Sequence, residues 1–463
     1  CGANQTINQT GIFGEYVRWE STLPCPTTEI APQVVLSTID HAVSRAADQN
    51  PGPVHINCPF REPLAPDSDD TNGVAYLESV ERWREGEDPW TQYIQGEISE
   101  SIGLAECADL IENTSFGLLV VGQLRSMLDL ETVRKLAESL GWPVVADITS
   151  GARLGHYVPH VVAYADQMLQ GTWRDSFTHL ETIIHIGGSL VSKRLQTLFE
   201  THPPNHYIRI AFTPERLDPS HQVTHRIEYH SNIYHTISSL DSIRADASWR
   251  DDLIEKSKGL DTFFAEKFSD ETVTEPGVMR FVTERAGKLG PLFLGNSMPI
   301  RDADMYGASA SSATWVYANR GASGIDGNIA TAAGVAGEGA TAVLGDLATL
   351  HDLNSLALLR TNKVVLVVIN NGGGGIFSFL PVSEHGELVE EFFGTPHECD
   401  FQFAANMFDI NYTHPSTMTD FRQEYETALD AASSTIIEVT TDRDENLAFH
   451  RTLEQNVINY MKS

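Results

Sequence analysis

Six consecutive aliphatic residues, Val364-Val365-Leu366-Val367-Val368-Ile369, constrain the fold of this chain more than any other feature. A run without a polar alternate does not suit a sheet with one wet face, so it calls for a strand covered on both sides. It is also far short of the roughly 20 residues that cross a bilayer. Similar runs recur at 52–57, 117–122, 143–147, 182–187, 207–210, 291–295, 342–345 and 435–439, with helical patterns such as 130–140 and 353–359 between them. Buried strands interleaved with helices predict an α/β fold built on doubly wound, mostly parallel sheets.

At 463 residues the chain has room for two or three domains, given roughly 150 residues per domain. Lys and Arg total 31 against 63 Asp and Glu, a formal charge of −32. Such a chain is a poor partner for nucleic acid, whose binding rests on cations that neutralise phosphates. It equally disfavours anionic membrane surfaces. Only 8 of the cations are Lys, which with the acidity points to adaptation to salt, where counterions screen self-repulsion. The five cysteines (Cys1, Cys25, Cys58, Cys107, Cys399) are odd in number and widely spaced. They support neither a disulfide framework nor a zinc knuckle, and a cytoplasmic location is expected. No secretory h-region opens the chain.

Two composition shifts divide the sequence: a polar Pro/Asp stretch at 63–73 and a charged, helix-prone stretch at 241–276. The segments expected are 1–66, 67–245 with a leading linker, and 246–463. The first has one clear strand and begins on Cys1 rather than Met, so it reads as the rear of a domain whose front is absent.

The strongest chemical signal lies in the third segment. One strand ends in Gly345-Asp346, and the next ends 25 positions later in Asn370-Asn371, followed by Gly372 to Gly375. That distance accommodates one helix between parallel strands, whose carboxyl ends face one crevice. A carboxylate and an amide oxygen there suit Mg²⁺, a hard cation completed by diphosphate oxygens and water. The glycines let a backbone carbonyl turn inward. From spacing alone, a helix-capping aspartate and an Asn-Gly turn explain the pattern about as well. Asn319-Arg320-Gly321-Ala322-Ser323-Gly324-Ile325-Asp326-Gly327 and Gly295-Asn296-Ser297-Met298-Pro299-Ile300-Arg301 also follow strands. The histidines His221, His225, His230 and His235 have only Asp218 and Glu228 nearby as further ligands, and read as ordinary surface or core residues. Gly187-Gly188-Ser189 does not complete a dinucleotide-binding motif.

The Gly-Asp to Asn-Asn spacing resembles the signature of thiamine-diphosphate (ThDP) enzymes. The longer strings resemble the 2-succinyl-5-enolpyruvyl-6-hydroxy-3-cyclohexene-1-carboxylate (SEPHCHC) synthase family of menaquinone biosynthesis. They include Cys1-Gly2-Ala3-Asn4-Gln5, Asn57-Cys58-Pro59-Phe60-Arg61-Glu62-Pro63-Leu64, Ser192-Lys193-Arg194, Gly345-Asp346-Leu347 and Ile376-Phe377-Ser378-Phe379-Leu380-Pro381. The resemblance implies three α/β domains: a pyrimidine-binding domain, here a remnant at 1–66, a central domain, and a diphosphate-binding domain. It implies a transferase that decarboxylates 2-oxoglutarate and adds the succinyl carbanion equivalent to isochorismate. ThDP with Mg²⁺ or Mn²⁺ would be the cofactor set, and a homodimer or homotetramer would place the site between subunits. Asp346, Asn371 and the Gly373 carbonyl are the implied metal ligands. Gly324, Ile325 and Gly345 would contact the cofactor, with Ile325 as an apolar wedge. Ser297, Arg301 and Arg320 are the implied catalytic residues. Gln5, Lys193, Arg194, Ile376, Phe377 and Leu380 are the implied substrate contacts. The family's activating glutamate has no counterpart in this chain. Two other readings are another ThDP-dependent 2-oxo acid enzyme, and a chain that binds ThDP without turnover.

Overall fold

The computed structural model describes residues 6–47, 50–61, 72–93, 107–211, 216–228, 246–309, 312–386, 388 and 390–462. Gln5, with the whole string from Cys1, most of the 63–73 stretch, His230 and His235 lie outside them. The chain divides into two compact units, one made of Cys1–Glu100, Ala211–Arg216 and Glu228–Asn232 and the other of the remainder.

In the first unit, strands β1 (Trp19–Thr22) and β2 (Val54–Asn57) pair in parallel, with Trp19 opposite Val54. Helix Gln33–Ala47 links them. Only β2 is expected from sequence. β1 reads Trp-Glu-Ser-Thr, polar and partly exposed, and an edge strand needs no continuous apolar run.

Two larger sheets are built from residues of the second unit, apart from the terminal Ala211 and Glu228 of two strands. The first comprises β3 (Gly117–Val121), β4 (Val144–Ala146), β5 (Thr182–Ile186), β6 (His206–Ala211) and β7 (His225–Glu228), in the order β4-β3-β5-β6-β7. The second comprises β8 (Leu292–Leu294), β9 (Val316–Tyr317), β10 (Ala340–Gly345), β11 (Val364–Asn370), β12 (Asn411–Thr413) and β13 (Thr435–Thr440). Its order is β12-β13-β11-β10-β8-β9, and every neighbouring pair is parallel. β11 carries the aliphatic run, lies inside the sheet, and is buried at all seven positions. The fold is therefore α/β with mostly parallel sheets, as the non-alternating runs require. The 130–140 pattern lies in helix Met127–Leu140, but 353–359 winds as a 3-10 helix, Leu353–Arg360.

The charged stretch before the second sheet supplies helix Ala247–Lys267, capped by the Asp246 carboxylate, which accepts from the Ser248 and Trp249 N–H groups at 2.9 and 3.0 Å. Its Leu253, Leu260 and Phe264 join the core that contains Leu118, Val120 and Ile183 of the five-stranded sheet. Phe264 meets Tyr164 and Tyr306 with ring centroids 5.4 Å apart in each case. Removing so large a buried ring leaves a void that the surroundings only partly fill. Phe264→Ala is therefore expected to destabilise the unit by about 3–5 kcal/mol, read as a lower urea midpoint. Arg153, fully buried, donates to the Gly307 and Ala308 carbonyls at 3.0 Å each, and the Tyr164 hydroxyl donates to Gly307 at 2.8 Å. These bonds anchor the far end of helix Met298–Tyr306, whose near end lies at the candidate site.

Candidate functional site

β10 and β11 lie side by side in register, Gly345 opposite Ile369, so Asp346 and Asn371 emerge from adjacent strand ends. Asp346 is buried, and its carboxylate accepts the N–H groups of Leu347 (2.6 Å), Asn371 (3.1 Å) and Gly373 (2.9 Å). His397 Nε2 stands 3.3 Å from Oδ2. Burial pushes this carboxyl above its ordinary pKa, and the three N–H groups and His397 only partly offset that. A buried carboxylate held this way is poised for a cation. Asn371 donates its Nδ2 to Glu275 at 3.0 Å, while its Oδ1 is buried with no hydrogen-bond partner. Buried polar atoms are nearly always paired, so an orphaned amide oxygen beside a buried carboxylate marks a position for a hard cation. A Cβ on Gly345 would meet nothing within 4 Å, which leaves open space at the strand end. These residues fit a divalent cation with diphosphate.

The glycine loop explains itself sterically at Gly373. Its φ is +146°, and a Cβ there would stand 2.4 Å from the Gly394 carbonyl oxygen. Its carbonyl accepts the Gly375 N–H at 3.0 Å, so one lone pair remains for a metal. Among the described residues no group of three His, Cys, Asp or Glu could hold a metal, and His221 and His225 contribute to none.

Ser297, at the start of helix Met298–Tyr306, has φ +72°, a strained backbone of the kind that clusters at working sites. Arg301 donates back to the Ser297 carbonyl. Asn296, a motif residue given no role from sequence, ties two loops together. Its Nδ2 donates to the Asn319 and Gly324 carbonyls at 2.8 and 3.1 Å, and its Oδ1 accepts from Arg320 at 3.1 Å. Burial lowers the Arg301 pKa, and the nearby Arg320 guanidinium lowers it further. Neither arginine forms an ion pair with a carboxylate among the described residues. Two like charges brought together in a partly buried place form a receptacle for an anion. Ile325 is 37% exposed, an apolar side chain without full cover beside Gly324.

A cavity of about 770 Å³ collects Lys193, Arg194, Arg301, Ile376 and Leu380 on its walls. Two of the implied substrate contacts are engaged within the chain. Arg194 is not a free carboxylate clamp, since it pairs with Asp166 at 2.7 Å and Glu454 at 2.5 Å. Lys193 beside it is exposed and has no such partner among the described residues. Phe377 is not among the residues that line this cavity. Gly375–Phe379 is a 3-10 turn, in which residues three apart share a face, so Ile376 and Phe379 line the cavity together. Phe377 packs instead against Phe393, ring centroids 5.4 Å apart.

His450, also in the wall, was not legible in sequence. Its Nδ1 lies 3.2 Å from the Tyr306 hydroxyl and its Nε2 is 3.4 Å from Asp302, which is fully buried. Burial opposes the imidazolium, but Asp302, Glu275 and Glu454 outweigh it and raise the pKa above the ordinary 6.5. A histidine raised on folding stabilises the fold fully below its unfolded pKa, and this contribution fades as pH climbs through the folded value. His450→Gln is therefore expected to lower the urea midpoint more at pH 5.5 than at pH 9. An equal loss at both would remove the ion pair from the account. In the same cluster Glu275 is pushed up to about 7, by burial first and then by Asp302.

A family model described as the middle domain of thiamine pyrophosphate matches residues 74–294. A 2-succinyl-5-enolpyruvyl-6-hydroxy-3-cyclohexene-1-carboxylate synthase of Rubrobacter xylanophilus is 40% identical over 98% of this chain and 79% of its own length. The synthase of the same name from Salinibacter ruber is 38% identical over 98% of this chain and 78% of its own. That from Prosthecochloris aestuarii is 40% identical over 99% and 79%. No helix among the described residues is long and apolar enough to cross a membrane.

Proposed function

The chain belongs to the SEPHCHC synthase family of thiamine-diphosphate enzymes, and on that premise we propose that it decarboxylates 2-oxoglutarate and joins the remaining succinyl unit to isochorismate, giving SEPHCHC and CO₂. The observation that carries the substrate assignment is the Arg301–Arg320 pair. In a chain of charge −32, two neighbouring guanidinium groups that form no salt bridge among the described residues call for an anionic ligand, and both substrates are dicarboxylates.

ThDP, when bound, supplies the electron sink for decarboxylation. Asp346 and Asn371 Oδ1, with the Gly373 carbonyl as third donor, would hold its Mg²⁺ or Mn²⁺. Gly324 and Ile325 would support it, with Gly345 giving it room. Arg301 and Arg320 would orient substrate carboxylates bidentately, with Ser297 as a further hydrogen-bonding group. Lys193 would add charge at the cavity wall. Ile376, Phe379 and Leu380 would exclude water, which strengthens each ion pair inside. Segments 1–66, 67–245 and 246–463 would be the pyrimidine-side, central and diphosphate-binding parts of a cytoplasmic homo-oligomer.

The test supplies 2-oxoglutarate, isochorismate, ThDP and Mg²⁺ and follows the tricarboxylate product. It is run on this chain and on a version extended upstream to the length of the relatives. Product from 2-oxoglutarate supports the reading. Turnover of pyruvate in place of 2-oxoglutarate would show a different 2-oxo acid enzyme.

A further inference from the structure

The side chain that fixes Asn371 is Glu275, at the start of helix Glu275–Arg285. It is 2% exposed. Its Oε1 accepts from Asn371 Nδ2 at 3.0 Å and from the Thr441 hydroxyl at 2.9 Å. Thr441 follows β13, and its own N–H donates to the Asn370 carbonyl at 3.0 Å. Three elements thus meet at one carboxylate: a helix start and the ends of two adjacent strands.

Because Glu275 Oε1 accepts from Asn371 Nδ2, the amide faces the carboxyl group through its nitrogen. The Oδ1 must then turn away, and it is this atom that is left buried without a partner. We propose that Glu275 is a positioning residue, which holds the Asn371 amide in the one orientation that presents Oδ1 to the cation of the diphosphate site. The inference rests on the metal-site reading above and adds a residue to it. Outer groups that orient a ligand commonly matter nearly as much as the ligand. It also explains why an amide stands at 371. Aspartate would bring more charge to a cation, but it has no N–H to donate to Glu275 and would set a second carboxylate against it.

The decisive comparison is Asn371→Asp with and without Glu275→Gln. At pH 8, Mg²⁺ is titrated into the protein with ThDP present, by calorimetry, and the melting temperature is read without ligand. Asn371→Asp alone is expected to weaken Mg²⁺ binding about 10- to 100-fold and to lower the melting temperature. Adding Glu275→Gln reverses the polarity of the pair, since its amide N–H donates to the new carboxylate. Both properties should then return towards the unaltered protein. If Mg²⁺ affinity is as poor in the double variant as in the single one, the proposal is wrong. It is equally wrong if Asn371→Asp binds Mg²⁺ normally. Recovery of the melting temperature without recovery of Mg²⁺ affinity would mean the pair serves packing alone. If the unaltered protein shows no Mg²⁺-dependent ThDP binding, the diphosphate-site reading fails and the inference falls with it, whatever the melting temperatures do.

Discussion

Asp346→Ala is expected to abolish Mg²⁺-dependent ThDP binding, a loss greater than the roughly 100-fold that follows from disturbing an outer-shell group. The carboxylate is the one negatively charged donor among the three implied ligands, and Asn371 and a backbone carbonyl alone give a divalent cation weak purchase. Asp346 also organises the loop, because it accepts the N–H groups of Asn371 and Gly373, its two partner ligands. Its removal leaves those donors unpaired, at about 1–3 kcal/mol for a buried group. Asp346→Asn separates the two effects, since it keeps an acceptor for the loop and removes the charge. Calorimetry of ThDP with and without Mg²⁺ should show no metal-dependent binding for alanine and weak binding for asparagine. Metal-dependent binding that survives in the alanine variant would take Asp346 out of the site. The carboxyl's raised pKa gives the direction of the energetics. Burial disfavours its ionised form, and a bound cation offsets that cost directly.

The parts of this site that were readable in sequence share a physical cause. Asp346 and Asn371 end strands that are buried on both faces, so the apolar runs gave their positions and the parallel topology brought them together. The strands that were missed are β1, β7, β9 and β12. All lie at sheet edges, where solvent or loop covers one side and a short or polar segment suffices. The surroundings of individual side chains are hidden in sequence for another reason. Phe377 and Phe379 are chemically alike, and only the three-residue turn of Gly375–Phe379 decides which faces the cavity. Arg194 looks in sequence like a free cation, and its partners Asp166 and Glu454 are 28 and 260 positions away. Glu275 and His450 were illegible for the same reason. Their roles depend on contacts to Asn371, Thr441 and Asp302 that span 96 to 166 positions.

Arg301→Met is expected to make the ligand-free protein more stable and the enzyme much worse. In the free protein the guanidinium is partly buried, beside Arg320, and among the described residues its hydrogen-bond acceptor is the Ser297 carbonyl. Burial and the like charge together outweigh the nearby Asp302 carboxylate and disfavour the cation, so the methionine, which keeps the aliphatic stem, relieves a strain that the fold carries. With a dicarboxylate bound, the balance inverts. The substrate carboxylate offsets the repulsion, and removing one arginine leaves it short of a partner in a dried cavity. Truncating one side of such a pair costs about 2–5 kcal/mol, which is roughly 30- to 5,000-fold in kcat/KM. The two halves are measured separately. The melting temperature without ligand should rise or hold, and the further rise produced by saturating 2-oxoglutarate in the unaltered protein should vanish in the variant. A variant that melts lower and keeps its response to 2-oxoglutarate would mean Arg301 supports the helix Met298–Tyr306 and does not bind substrate. A variant with the opposite pair of results ties the like-charged arginines to carboxylate recognition, whichever 2-oxo acid proves to be the substrate.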